Sequence, residues 1–320
     1  MTSDNNRTDP IPDLPPLTAT PSSRHGRRGC RRQSANRLGE FGEVAVEEPT
    51  VDFASTETMT TDDDFVEEWL ECDAPWSIYT RFRHMPLSEC VDKRDHVFEP
   101  LARTIFIHHN DPEEYKEIVA ELGYEQAARE FDKRPRDDKT RKGNFGEILV
   151  SEYLRQVEGY DLPVYRLRWN TNPDTSMRGE DVLAFKLGNP DGTGREICVT
   201  EAKVLNRYDK RAVKSAHRQL CFGHRPRPNS IPFVYSVLRL KGEREKATAV
   251  LAFQNRLAPH PPIRRNFLML VTGNRPRNPF QVIEVEPEVV ANLTAANLSL
   301  TDLTNLVNEL FEVEVNLDDL

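Results

Sequence analysis

Long apolar runs are lacking. No stretch of roughly 18 apolar residues occurs, so no transmembrane helix and no membrane partner is expected. Arg27, Arg28, Arg31 and Arg32 form two arginine pairs, but no apolar segment follows them. That argues against an export signal, and a cytoplasmic location is expected. Paired cysteines are lacking too. The five cysteines, Cys30, Cys72, Cys90, Cys198 and Cys221, are odd in number and contain no C-x-x-C pair. A disulfide framework or a zinc knuckle is thereby disfavoured, and scattered free thiols suit a reducing compartment. Nor is there an excess of positive charge: 43 Lys and Arg face 52 Asp and Glu, a formal net charge of -9. A field of that sign does not steer a protein to nucleic acid, so any phosphate contact has to come from a local basic patch.

What is present divides into three parts. Residues 1–62 read as a disordered tail. Pro10, Pro12, Pro15, Pro16 and Pro21 punctuate a polar stretch without apolar period, and an arginine cluster (Arg24 to Arg37) is followed by acidic residues. The balance of signs fits a solvated tail better than a phosphate-binding arm. Residues 63–140 read as a small helper region with short apolar clusters. One helix start in it is well marked: Asp111 suits the N-cap, Pro112 the first helical position, Glu113 and Glu114 the positive end, and Gly123 the stop. His108, His109 and Asn110 lack the second half of a metal-binding string, so structural histidines are expected there. The charged segment 132–142 reads as an exposed linker into a domain of residues 141–320.

That domain holds the chemistry. A helix capped by Asn144 is expected to carry Glu147. Phe145, Ile148, Leu149 and Tyr153 line one side of it, and Val150 and Leu154 the other. Apolar residues on two sides place such a helix between layers, where the Glu147 carboxylate needs a metal or a lysine as partner. Residues 164–169 suggest a strand. After the stretch Arg178, Gly179, Glu180, Asp181, a strand is expected over 182–185, a turn over 189–194, and a further strand over 196–204. Side chains alternate along a strand, so Glu201 and Lys203 point the same way. A hairpin between the two strands brings Asp181 beside Glu201, and paired carboxylates make a hard oxygen site for Mg2+ or Mn2+. A lysine beside that ion can position the attacking water on a phosphate. Glu180, next to Asp181, reads as an exposed neighbour, not a ligand.

The order helix with Glu147, strand, Asp181 strand, Glu201-x-Lys203 strand, helix resembles the PD-(D/E)xK nucleases. This implies an α/β fold of the restriction-endonuclease-like type, a mixed sheet flanked by helices. The residues Gly143-Asn144-Phe145-Gly146-Glu147-Ile148-Leu149, Arg178-Gly179-Glu180-Asp181 and Thr200-Glu201-Ala202-Lys203 resemble, more narrowly, the HamA family, the nuclease subunits of the Hachiman antiphage defence system. The resemblance spans about residues 140–310. It implies a metal-dependent deoxyribonuclease restrained by a helicase subunit, HamB. Asp181, Glu201 and Lys203 carry over as catalytic, and Glu147 carries over less directly as a further metal ligand. No small-molecule cofactor is implied.

Basic residues bracket this segment. Lys142, Arg178, Lys214, Arg218 and Gln219 are the expected nucleic-acid contacts, with Lys214, Arg218 and Gln219 on a helix over 210–222 and Arg225 and Arg227 just beyond it. Contacts of this kind bind phosphates without reading sequence. Helices are further expected over 231–240, 243–253 and 300–311, and strands over 266–272 and 280–285. The competing reading is a non-catalytic DNA-binding or assembly subunit on a nuclease-like fold. Intact Asp181, Glu201 and Lys203 argue against it.

Overall fold

A computed structural model describes residues 64–72, 79–123, 128–189, 191–222, 228, 230–255 and 258–316. The expected tail of residues 1–62, together with Arg225 and Arg227, lies outside them. In chain order the elements are α1 (Val66–Trp69), β1 (Leu70–Cys72), β2 (Arg83–Glu89), α2 (Arg94–His109), α3 (Pro112–Leu122), α4 (Asp138–Gln156), β3 (Leu183–Lys186), β4 (Glu196–Leu205), α5 (Lys210–Phe222), α6 (Ile231–Leu240), α7 (Arg244–Ala252), β5 (Ile263–Thr272), α8 (Gln281–Glu284), β6 (Leu293–Ser299) and α9 (Leu303–Glu312). No helix among the described residues is long and apolar enough to cross a membrane.

The strands form one mixed six-stranded sheet in the order β1-β2-β6-β5-β4-β3. β2, β6, β5 and β4 run parallel, and β1 and β3 close the two edges antiparallel. A parallel sheet needs helices on both faces, and the side chains of β5 show it. Phe267, Met269 and Val271 join the core under α2, α4 and α9, while Leu268 and Leu270 join the core under α5, α6 and α7. The α/β class and the helix-flanked mixed sheet are therefore as expected. The expected boundary at residue 140 does not divide the fold: β1 and β2 from the region 63–140 belong to the same sheet, through the β2–β6 pairing.

Four local expectations are corrected. Asn144 does not cap α4. The helix starts at Asp138, and the Asp137 carboxylate caps it by accepting from the Thr140 amide at 2.8 Å. Asn144 sits inside the helix, buried, with Nδ2 2.8 Å from His109 Nε2. The end of the expected charged linker, from Asp138, is thus the start of α4. Residues 166–169 form a 3-10 turn and not a strand, and residues 280–285 contain only the short helix α8. Strands β2 and β6 have no counterpart in the sequence reading.

Every residue from Asn144 to Leu154 is buried, as a helix between layers must be. Gly146 sets how close α4 lies to the sheet. A Cβ there would fall 2.6 Å from Val204 Cγ2 and 3.3 Å from the Ala202 Cβ. Overpacking of this kind costs about 1–3 kcal/mol, against a helix-propensity gain from glycine to alanine of up to about 1 kcal/mol. Gly146→Ala is therefore expected to lower the urea midpoint, and Val204→Ala in the same chain to recover most of the loss. A neutral Gly146→Ala would mean that this contact does not set the α4–β4 spacing.

The two histidines that end α2, His108 and His109, are buried and structural. His109 is buried, with Nδ1 2.7 Å from the Ile105 carbonyl oxygen, which can only accept, so Nδ1 donates. Asn144 Nδ2 then donates to the bare Nε2, an arrangement that suits the neutral ring. Burial lowers the His109 pKa to about 4. Between about pH 6.5 and that value the unfolded chain takes up a proton that the folded chain refuses. Stability is therefore expected to fall as pH drops through the window, by at most about 1.4 kcal/mol per pH unit. Urea unfolding between pH 7 and pH 4.5, wild type against His109→Gln, tests this; equal slopes in the two proteins would exclude His109 as the source.

Candidate active site

The site forms where the short edge strand gives out. β3 pairs with β4 from Leu183 opposite Val199, and the Thr200 amide donates to the Val182 carbonyl at 3.1 Å. Continued by one residue, this register sets Asp181 opposite Glu201. At that point the ladder is replaced by a side chain: the Ala202 amide donates to Asp181 Oδ2 at 2.8 Å. The backbone carbonyl of Glu180 instead accepts from Arg166 Nη1. The juxtaposition of Asp181 and Glu201, read from strand alternation, is present.

Lys203 lies two residues beyond Glu201, and its ammonium donates to Glu201 Oε1. Glu201 is 5% exposed while the Lys203 side chain is 28% exposed, so the lysine is the member that reaches solvent. Glu147 approaches from α4. Its carboxylate is buried, and the cation beside it is not a lysine but Arg166, whose Nε lies 3.4 Å from Glu147 Oε1. Arg166 Nη2 donates to the Met177 carbonyl at 3.1 Å. Sequence reasoning missed this arginine, because a single Arg in an irregular segment carries no period.

Three carboxylates near one another and out of water raise each other's proton affinity. Burial, opposed by Arg166 and reinforced by Asp181 and Glu201, pushes Glu147 up to about 8. Burial and then the Asp181 charge push Glu201 up to about 7, against Lys203 and Arg166. Asp181 is raised by burial too, despite the Ala202 amide and the charges of Lys203 and Arg166. A cluster displaced in this way marks a candidate functional site. Its donors are hard oxygens, which fit Mg2+ or Mn2+. Among the described residues no three acidic, histidine or cysteine side chains are placed as a ligand set; Lys203 and Arg166 hold two of the three carboxylates.

Glu180 is not the exposed neighbour expected. It is half-buried, and its Oε2 accepts from the Ser230 amide at 3.0 Å and from the Ser230 hydroxyl, at the start of α6. The expected nucleic-acid contacts lie on three segments of the chain. Arg178 is exposed on the turn leading to Asp181, Arg218 and Gln219 are exposed on α5, and Lys142 is half-buried on α4. Lys214 is committed to an ion pair with Glu286.

Comparison with known proteins bears on this arrangement. The family model described as HamA matches residues 63–313. The chain is similar to the Hachiman protein HamA of Bacillus cereus, with 31% identity over 182 residues, covering 55% of this chain and 64% of that relative.

Proposed function

The chain belongs to the HamA family, and on that premise we propose that it is a metal-dependent DNA nuclease, the effector subunit of an antiphage defence complex with a helicase partner. The observation that carries the reading is the set Asp181, Glu201 and Lys203 at the end of the β3–β4 pairing, with Glu147 behind it. The mixed sheet with helices on both faces and its acidic site beside an antiparallel edge strand support a restriction-endonuclease-like fold.

In this reading Glu147, Asp181 and Glu201 hold Mg2+ or Mn2+. When bound, the ion lowers the pKa of water and neutralises charge on the scissile phosphate. The chain's own groups do the rest. Water adds to phosphorus, one P–O ester bond breaks, and the products are a phosphate monoester and an alcohol. The Lys203 ammonium, freed from Glu201, donates to the attacking water oxygen and offsets charge building on the phosphate. The Ala202 amide holds Asp181 in place through Oδ2. Arg178 and the exposed face of α5 supply phosphate contacts, so binding is salt-sensitive and independent of sequence.

The test is cleavage of plasmid and linear DNA with Mg2+ or Mn2+, by the chain alone and with its helicase partner and ATP. Cleavage that chelation abolishes supports the reading. Absence of cleavage under every metal, DNA and partner condition overturns it in favour of a non-catalytic subunit.

A further inference from the structure

The acidic side chains come from three separate places: α4 for Glu147, the turn before β3 for Asp181, and β4 for Glu201. Strand pairing aligns only β3 with β4, and it stops at Val182. The turn that carries Asp181 has positive-φ Gly179 at its centre, with a φ of 120°. A turn of this kind keeps its shape only if its backbone groups are tied.

One side chain spans the gap. The Arg166 guanidinium directs Nη1 to the Glu180 carbonyl, Nη2 to the Met177 carbonyl and Nε toward Glu147. The fork therefore grips both ends of the 177–180 turn while its inner edge faces α4. Its charge acts on all three carboxylates, lowering each against the burial that raises it. Arg166 is itself seated: the preceding Tyr165 ring lies 4.4 Å from the buried His108 ring and 4.7 Å from the Arg168 guanidinium carbon.

We propose that Arg166 is the positioning residue of the acidic site, holding the turn that delivers Asp181 in register with Glu201 and tying that turn to Glu147 on α4. Its consequence for cleavage rests on the nuclease reading; its consequence for the turn does not. A lysine cannot replace it, because an ammonium keeps the charge but cannot reach two carbonyls and a carboxylate with a planar fork.

The experiment is amide hydrogen exchange on the full chain with Arg166→Lys and Arg166→Met, paired with cleavage kinetics below the unfolding transition. The Ala202 amide, which donates to Asp181, and the Ser230 amide, which donates to Glu180, report the turn. The Met269 and Leu270 amides report the core. For Arg166→Lys, exchange at Ala202 and Ser230 is expected to rise at least tenfold relative to the core amides, with kcat down by a factor of ten or more and KM within twofold. Exchange that rises evenly at all four positions, or that stays at wild-type rates, overturns the proposal. So does a fall in kcat with the turn undisturbed, which would make Arg166 a direct substrate contact. If the turn loosens as expected but wild type cleaves nothing, the positioning role stands and the nuclease reading fails. Arg166→Met is expected to give the same local pattern more strongly; should it not fold, Arg166→Lys alone decides.

Discussion

Glu201→Gln and Lys203→Ala are each expected to reduce DNA cleavage by a factor on the order of 10^3 or more, with the fold intact. Stabilisation of phosphate charge by a bound ion and an adjacent ammonium amounts to several kcal/mol, and about 4 kcal/mol corresponds to that factor. The stability side has the opposite character. Glu201 is buried and held up to about 7 by burial and the Asp181 charge, so its carboxylate is a net electrostatic burden on the folded chain. Glu201→Gln removes that burden and loses the hydrogen-bonded ion pair with Lys203. The two effects offset, and a change within about 1 kcal/mol is expected. Lys203→Ala removes the only charge that donates directly to Glu201 among the described residues, so it is expected to destabilise slightly while abolishing cleavage. Cleavage rates and urea midpoints measured on the same preparations separate the two. Loss of activity in proportion to loss of fold would remove the argument that these side chains act chemically. Full activity in Glu201→Gln would remove Glu201 from the site altogether.

The pairing of Asp181 with Glu201 was legible because each link is local. Turn residues Asn189 to Gly194 separate two apolar runs, and period-two alternation then decides which side chains share a face. The helix over 112–122 was legible for the same reason, since Asp111, Pro112 and Gly123 state both of its ends. What escaped is tertiary. β6, Leu-Thr-Ala-Ala-Asn-Leu-Ser, has few residues with strand preference, yet it is a central strand between β2 and β5. Small side chains suit a place where helices press on both faces, and context there overrides propensity. Residues 164–169 show apolar spacing that suggests a strand, but Arg166 turns inward to the 177–180 turn and the backbone winds into a 3-10 turn. Asn144 carries the look of a cap, while the true cap, Asp137, sits in a charged stretch that resembles a linker. The partner of Glu147 could be anticipated as a cation or an ion, but which residue supplies it depends on a loop whose path no periodicity records.

Glu152→Ala is expected to cost about 3–5 kcal/mol, the largest stability loss of any single substitution argued for this chain. Glu152 lies on α4 five positions after Glu147 and is fully buried. Burial alone would raise its pKa, but the His108 hydrogen bond and the Arg155 guanidinium bring it down to about 2, while burial lowers His108 itself and favours its neutral ring. Its two oxygens accept three bonds: Oε1 lies 2.7 Å from His108 Nε2, and Oε2 accepts from Arg155 Nε at 2.8 Å and Gln156 Nε2 at 2.9 Å. Removing the carboxylate leaves the buried His108 without its acceptor and Arg155 with Asp64 as its remaining carboxylate, and a buried donor without an acceptor costs its full desolvation. Glu152→Gln is expected to cost less than Glu152→Ala but more than 1 kcal/mol, because its amide nitrogen meets donors where a carboxylate oxygen met them. Total stabilities of about 5–15 kcal/mol leave Glu152→Ala near the edge of folding, so urea unfolding at low temperature is the suitable measurement. The sign of the pH dependence follows. The folded-state value lies below the unfolded one near 4.5, so the contribution of Glu152 is complete above that value and is lost as pH falls toward about 2. Wild type and Glu152→Ala should therefore converge in stability in acid and separate at neutral pH. The same bond ties α4 to α2 through His108, whose ring supports Tyr165 and so the segment bearing Arg166. A Glu152→Gln chain that is folded at the assay temperature is expected to cleave more slowly than wild type, since the support of the acidic site runs through that histidine. Full cleavage in that chain would confine Glu152 to the stability of the core.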